Sequence, residues 1–454
     1  MKRLLLFLLA FVGLSAQSQL VSGPMLGPVE LRDAVIWVEV GPRTKSVRLQ
    51  LFDPTIGIPK PPARVVHNNM GWISYKGPLG NASNPIALRI PDLQPAKTYH
   101  YRILLDGKEA AIGTFTTKDL WQWRKPAPDF SFLTGSCAYF NEPVYDRPGT
   151  PYGGDSSIFL AMAKEKASFM LWLGDNWYYR EVDFFSATGL RYRARRDRAQ
   201  PVLQPLLKAM PHYAIWDDHD FGPNDGDKSF VLKEESRRIF LDYWPNHSAG
   251  ENEQGIYTKM SYGDVDIFMM DDRWFRSANN MDELVDGTPN AAKRMWGPQQ
   301  MEWLKNALVN STATFKIIAT GNQTLNPKAR AECLQDYPIE FNELMQFLAA
   351  EKITGLLLFT GDRHHSEVIR YERAGTYPLF DVTNSPLTSG ISRVSGDEKD
   401  NAARVSGTLV EVQNYTRVTV AGPKGARRLQ TEFLDISGKV LATWSVSETE
   451  LKAR

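Results

Sequence analysis

Between residues 22 and 118 the apolar positions fall in short strand-like runs with little helical period, as in AVIWVEV (34–40), SVRLQLF (46–52) and TYHYRILLDG (98–107), separated by Pro and Gly turns. Strands spaced this densely predict a β-sandwich of about 100 residues. The stretch TTKDLWQWRKPAPDF (116–130), with its two prolines, reads as a linker. Past residue 130 the pattern changes. The apolar runs FSFL, FMLWL, YAIW, VDIFMM, FKIIA and GLLLF alternate with segments of helical period, DSSIFLAMAKEK, KEESRRIFLDYW, PQQMEWLKNALV and PIEFNELMQFLAAEK. That alternation predicts an α/β unit whose sheet is covered by helices. Near the C-terminus, LQTEFLDISGKVLATWSV (429–446) is two alternating strands around a Ser-Gly turn, a hairpin suited to a sheet edge.

Each of the six apolar runs leads into polar residues: Cys137; Asp175 with Tyr178; Asp217, Asp218 and His219; Asp271, Asp272 and Arg273; Asn322 with Gln323; Asp362 with His364. A single Asp after a strand is ordinarily a turn former or a helix cap. Six such events at corresponding strand ends are not explained by turns. Open α/β sheets place their ligands at the carboxyl edge, and oxygen-rich clusters with a few imidazoles suit hard or borderline cations, which hydrolyse phosphate esters. WDDHD (216–220) carries the most weight, because three carboxylates around one imidazole repel each other unless a cation or a buried base neutralises them. In GDRHH (361–365) the Gly-Asp turn aims Asp362 and His364 into one cavity, while His365 reads as a structural neighbour on the other face. Tyr178 taken by itself reads as a packing residue. The run RYRARRDR (191–198) spreads five arginines around a helix and reads as a solvated face with salt bridges to nearby acids.

Length and charge narrow the picture further. A chain of 454 residues exceeds one ordinary core and implies two domains, or one large domain with an appendage. With 53 basic against 52 acidic residues it carries no nucleic-acid-binding signature, and an anionic substrate has to be held locally. Residues 1–18 read as a secretory signal peptide: Lys2 and Arg3, an apolar stretch over 4–14, then small and polar residues. The stretch is too short to span a bilayer, which takes about 20 residues, and no later segment is long and apolar enough. The expected location is therefore periplasmic or extracellular. Two cysteines are no disulfide scaffold. In an oxidising compartment Cys137 and Cys333 pair by default, but Cys137 follows the run 130–133 at a strand end, where a thiolate can instead bind metal.

The ordered set GSC, LGDNWYY, WDDHD, MDDRWFR and GDRHH, with WDDHDFGPND (216–225) as its most specific part, resembles the PhoD-like (alkaline phosphatase D) family of metallophosphatases. The segment LQPAKTYHYRILLDG followed by GTFTT resembles the closing strands of a fibronectin type III-like domain. The resemblance implies an N-terminal fibronectin type III-like sandwich over 22–118 and a metallophosphatase unit over 130–446, built as a four-layer α/β/β/α sandwich with a multinuclear centre of Fe3+ and Ca2+. Position by position it implies metal ligands at Cys137, Asp175, Tyr178, Asp218, Asn322, Asp362 and His364. It further places His219 facing the scissile phosphate and Arg273 as a phosphate clamp. The expected activity is that of a secreted phosphoester hydrolase, an alkaline phosphatase or phosphodiesterase using metal-activated water. A phospholipase or cell-wall polymer diesterase would share every ligand. A non-catalytic, calcium-stabilised surface binding protein would have no use for His219, Arg273 and His364 in one cavity.

Overall fold

The N-terminal runs form seven strands: β1 (Leu20–Val29), β2 (Ala34–Val40), β3 (Val47–Phe52), β4 (Trp72–Ser74), β5 (Asn84–Ile90), β6 (Thr98–Leu105) and β7 (Lys108–Thr116). In this computed structural model the described residues are 19–52, 54, 71–80, 82, 84–329 and 332–453, so the expected signal peptide of residues 1–18 lies outside them. The strands pair antiparallel in two sheets, ordered β1-β2-β5 and β4-β3-β6-β7. Their alternation is plain in β5, where Ile86, Leu88 and Ile90 are buried and Ala87 and Arg89 are not. Val47, Leu49 and Leu51 of β3 meet these side chains in one apolar core shared by the two sheets.

Strand β2 breaks the alternation, since all seven of its residues are buried. A strand reads this way when both faces are covered. Ile36 and Val38 point into the sandwich core, whereas Trp37 belongs to the core of the following unit. The Trp37 indole donates to the Asp242 carbonyl at 2.7 Å and packs on Tyr243 with ring centroids 5.5 Å apart.

The second unit begins with β8 (Phe130–Gly135), α1 (Ile158–Met162), β9 (Met170–Leu173), α2 (Ala187–Arg198), α3 (Gln204–Ala209), β10 (His212–Ile215), α4 (Asp218–Phe221) and α5 (Lys233–Tyr243). It continues through β11 (Thr258–Tyr262), β12 (Val265–Met269), the small hairpin of β13 (Leu284–Val285) and β14 (Thr288–Pro289), α6 (Gly297–Asn310), β15 (Phe315–Ala319) and α7 (Pro338–Ala350). The last elements are β16 (Leu356–Thr360), β17 (Glu367–Tyr371), β18 (Leu379–Thr383), β19 (Tyr415–Ala421), β20 (Arg428–Leu434) and β21 (Val440–Ser447). Two mixed six-stranded sheets result, β10-β9-β8-β19-β20-β21 and β11-β12-β15-β16-β18-β17. Ring contacts between Phe130 and Tyr262, Phe132 and Phe359, and Phe380 and Trp444 join them face to face. Strands β8, β9 and β10 run parallel, as do β12, β15, β16 and β18. Parallel neighbours need crossovers, and the right-handed rule keeps α6 and α7 on one face of their sheet, leaving the other face for the shared core. The C-terminal hairpin β20-β21 forms the sheet edge.

Two local expectations change. The helical pattern over 155–166 folds only at Ile158–Met162, because Ser168 already bonds the Ser131 carbonyl at 2.7 Å and the chain has to extend into β9. The arginines of α2 form the expected salt bridges, but the face is not simply solvated. Arg193 is fully buried between Asp183 and Glu142, and Arg198 is buried over the Trp244 ring at 3.7 Å. Arg195 reaches back to the buried Glu39 of β2 at 3.3 Å, so the run helps to bind the two units together.

Truncating the docked indole tests this joint. Trp37→Ala removes a buried aromatic side chain and should lower stability by about 3–5 kcal/mol, with urea unfolding still a single transition. Two separated transitions in the wild-type chain would show that the sandwich does not depend on its docked face.

Candidate metal centre

The parallel strands end together, and their side chains meet where the two sheets abut. Cys137 follows β8, Asp175 follows β9, Asp218 and His219 open the short helix after β10, and Asp362 and His364 follow β16. The junction is tight enough to demand glycine. A Cβ on Gly361 would stand 2.7 Å from both the Leu173 carbonyl and the Ser136 side chain, and one on Gly174, whose φ is +92°, would meet Asp217 at 2.6 Å. Cys137, Asp175, Asp362 and His364 all take left-handed backbone conformations, with φ of 63°, 53°, 64° and 57°. Each costs of order 1 kcal/mol for a non-glycine residue, and such strain collects at functional sites.

Two donor groups share one carboxylate. Cys137, Asp175 and His364 offer ligand atoms within 4.8 Å of one another, and so do Asp175, Asp218 and His219. In the first group the Asp175 carboxylate lies 3.5 Å from the Cys137 sulfur and accepts from the Tyr178 hydroxyl at 2.9 Å. That hydroxyl is 3.3 Å from Nε2 of His364. In the second group the His219 amide donates to the other Asp175 oxygen at 3.2 Å, and Asp218 accepts from the Asp225 amide at 2.7 Å. Asp218 Oδ1 and His219 Nδ1 are buried with no hydrogen-bond partner among the described residues. A thiol, a phenol, carboxylates and imidazoles converging with buried lone pairs unpartnered is a donor set that fits metal ions.

Electrostatics agree. Burial first, then the charges of Asp218 and Cys137, push the Asp175 carboxyl well above the usual carboxylate range. Burial pushes the Cys137 thiol up to about 11 and raises the Tyr178 phenol. Asp362 rises to about 7 through burial and then the nearby charges of Glu332 and Asp218. Burial also raises Asp218, but His219, Arg273 and the Asp225 amide outweigh it and hold that group ionised. Desolvation shifts both histidines down, against the charges of Asp218 and Asp362. A cation here would displace the protons of Cys137, Tyr178 and the carboxyls, so its affinity rises with pH.

Two expected site residues stand elsewhere. Arg273 does not face open space: its guanidinium is fully buried, held by Asp217 at 2.5 Å and Glu332 at 2.6 Å. Burial opposes its charge, yet those carboxylates more than restore it, and they leave no free fork for a phosphate. Asn322 is likewise engaged, its carbonyl oxygen accepting from Arg276 at 2.5 Å and Arg273 at 3.3 Å, so two cations occupy the lone pairs a metal would need. Arg273 and Asn322 form a buried brace on Asp217, behind the ligands. His365 is buried beside Glu367, 3.5 Å away, on the far side from His364.

Other contributors carried no sequence signal strong enough to single them out. The Ser385 hydroxyl accepts from the His364 amide at 2.9 Å and donates to the Cys137 sulfur at 3.1 Å, bridging two ligands. It follows the apolar run of β18, the same strand-end signature without a charged residue. Tyr152 meets Nδ1 of His364 at 3.1 Å from an irregular Pro/Gly loop. The cysteines remain free and buried, so the default pairing of Cys137 with Cys333 does not form.

Face-to-face mixed sheets with ligand loops at their joined ends define a metallophosphatase-like fold. The PhoD-like phosphatase family matches residues 132–430, and the chain belongs to that family. It is 24% identical over 316 residues to alkaline phosphatase D of Bacillus subtilis (strain 168), a match covering 60% of this chain and 52% of that protein, or about half its length. A solved structure of PhoD superposes with a TM-score of 0.73 over 97% of this chain and 92% of that one, at 16% identity. The purple acid phosphatase PPD1 from yellow lupin (Lupinus luteus) seeds gives 0.61 over 93% and 74%, at 12% identity. At these identities the structural matches speak for the fold. No helix among the described residues is long and apolar enough to cross a membrane.

The raised carboxyls make the metal-free protein pH-sensitive in a definite direction. Asp362 and Asp220 titrate near 7 when folded, against about 3.9 unfolded. The folded state therefore holds more protons, and stability falls as pH rises from about 4 to above 7. Thermal melts of chelator-stripped protein should show a lower Tm at pH 8 than at pH 5, and restored metal should abolish or reverse the trend. A stripped protein that is more stable at pH 8 would contradict this assignment.

Proposed function

We propose that this chain is a metal-dependent phosphoester hydrolase of the alkaline phosphatase or phosphodiesterase type. The observation that carries the reading is the pair of donor groups that share Asp175, whose residues would together hold metal ions. Cys137 and Tyr178 would offer an anionic, charge-donating thiolate and phenolate and His364 an imidazole, a set that suits ferric iron, whereas Asp218 and Asp362 offer oxygens that favour calcium. Such ions supply positive charge for the phosphoryl oxygens and lower the pKa of a water nucleophile.

The chain's own groups do the rest. Tyr152 fixes the His364 ring through Nδ1, leaving Nε2 toward Cys137, Asp175 and Tyr178. His219 packs on the Tyr178 ring with centroids 4.1 Å apart, and a fifth of its side chain (20%) is accessible. Burial shifts its imidazole toward the neutral form, which can take the proton released by the water nucleophile and, as imidazolium, pass it to the leaving oxygen. The buried Arg273 acts at one remove by holding Asp217 next to Asp218. The separate apolar core of the N-terminal unit supports reading residues 22–118 as a fibronectin type III-like buttress and 130–446 as the hydrolase unit. The basic and apolar start of the chain supports export to the periplasm or beyond.

Asp175→Asn and His364→Ala should each leave the circular dichroism spectrum intact and reduce hydrolysis of para-nitrophenyl phosphate or its bis ester by more than about 100-fold, since loss of outer supports alone costs 10 to 100-fold. More than about a tenth of wild-type activity in either variant would remove that residue from the ligand set.

Cys137 gives a separate readout. A thiolate on ferric iron contributes to the visible absorption beside any phenolate, so Cys137→Ser should shift and weaken that absorption. A short treatment with chelator should remove activity that calcium alone restores, because oxygen donors release calcium sooner than the sulfur-containing site releases iron. Full turnover after exhaustive removal of every metal would overturn the reading.

A further inference from the structure

Beside the metal centre lies a cavity of about 280 Å3 that opens onto Tyr178 and His219. Its remaining walls come from the loop over 139–152, the turn over 179–184 and Asn224. The charged side chains there are already engaged with one another. Asp146 accepts from the Tyr139 hydroxyl at 2.7 Å and from Arg180 at 2.9 Å, and Arg147 pairs with Glu181 at 2.8 Å. Arg180 also covers one face of the Tyr139 ring, 3.8 Å from its centroid. The Tyr152 hydroxyl is taken by His364.

With two acids matched by two arginines the wall has no net charge to attract a second phosphate. With both carboxylates and the Tyr139 and Tyr152 hydroxyls paired, a polyhydroxylated group finds few strong partners. What it does present is uncovered aromatic surface: Tyr152, 44% exposed, and the half-buried Phe184. A single aromatic ring fills a dry cavity of about 150 Å3, and drug-sized ligands need about 300–1,000 Å3. The space therefore suits one ring with a short linker and is too small for a pair of acyl chains.

On this basis, and resting on the phosphoester reading of the metal centre, we propose that the cavity is a subsite for the alcohol portion of the substrate, and that it selects an uncharged planar aromatic group on the ester. The ring lies between Tyr152 and Phe184 while the phosphoryl group faces His219. Aromatic stacking and apolar burial then add binding that a small alkyl ester lacks.

The test compares benzylphosphonate with ethylphosphonate binding to metal-loaded protein by calorimetry, alongside turnover of benzyl and ethyl phosphate, whose alcohols are of similar acidity. Benzylphosphonate should bind roughly 10- to 100-fold tighter, the return expected from burying a ring. Phe184→Ala should bring the ratio close to one, and Phe184→Leu, which keeps apolar volume packed against the core, should fold normally and give an intermediate ratio. Equal affinities in the wild type, or a ratio unmoved by both variants, overturn the subsite and leave the phosphoester reading standing if ethyl phosphate is hydrolysed. A benzyl preference without turnover of either ester or of bis-para-nitrophenyl phosphate supports the subsite and removes the hydrolase reading. Failure of both phosphonates to bind overturns the subsite, and absence of turnover of all three esters in the same samples overturns the hydrolase as well.

Discussion

Mutual repulsion and desolvation of acidic groups at the joined sheet ends is the constraint on which the rest of the structure depends. Asp175, Asp217, Asp218 and Asp272 are all buried within this junction, with a thiol and a phenol beside them. Water cannot stabilise their charge there, so something built must. On the inner side the protein supplies that itself, through Arg273 and Arg276 and the bridging amide of Asn322. On the outer side no cationic side chain among the described residues faces the shared Asp175 as closely, and its carboxyl is driven toward protonation. The division explains why one half of the cluster is a brace and the other half is suited to exogenous ions.

The sandwich enters the same balance. Glu39, buried in β2, is met by Arg195, and Arg198 from the same helix lies close enough for Glu39 and Asp220 to act on its charge. Asp220 in turn accepts from the Asn176 and Asp217 amides at 3.0 and 2.6 Å, fixing the two strand-end loops that carry Asp175 and Asp218. Through α2, the N-terminal unit is tied to the loops that shape the centre.

The strand-end pattern made the convergence of Cys137, Asp175, Tyr178, Asp218, His219 and His364 legible, because a parallel sheet brings such ends together whatever the details of packing. The register of β8, β9 and β10, and of β12, β15 and β16, follows from the same apolar runs. Direction and occupancy were not legible. Arg273 sits at a strand end as its spacing indicates, but only the fold shows that Asp217 and Glu332 claim its guanidinium, and Glu332 lies in a loop with no periodic signal. Asn322 fails for the same reason, since a sequence shows that an amide is present and not which donors reach it. Ser385 gives no signal because a neutral polar residue after a strand looks like any turn, and Tyr152 gives none because its loop has no period at all.

The left-handed backbone at four of these positions has a bearing on how such a centre can drift over generations. At 175 and 362 the conformation is one that Asn and Gly also adopt easily, whereas branched side chains such as Val, Ile and Thr do not. Single-step change there is thus channelled: an acid can give way to its amide or to glycine with the loop preserved, but not to a bulky apolar residue. Lineages that alter the charge of the centre can keep its scaffold, and a sequence carrying Asn or Gly at these points would still fold as a relative while its chemistry had moved elsewhere.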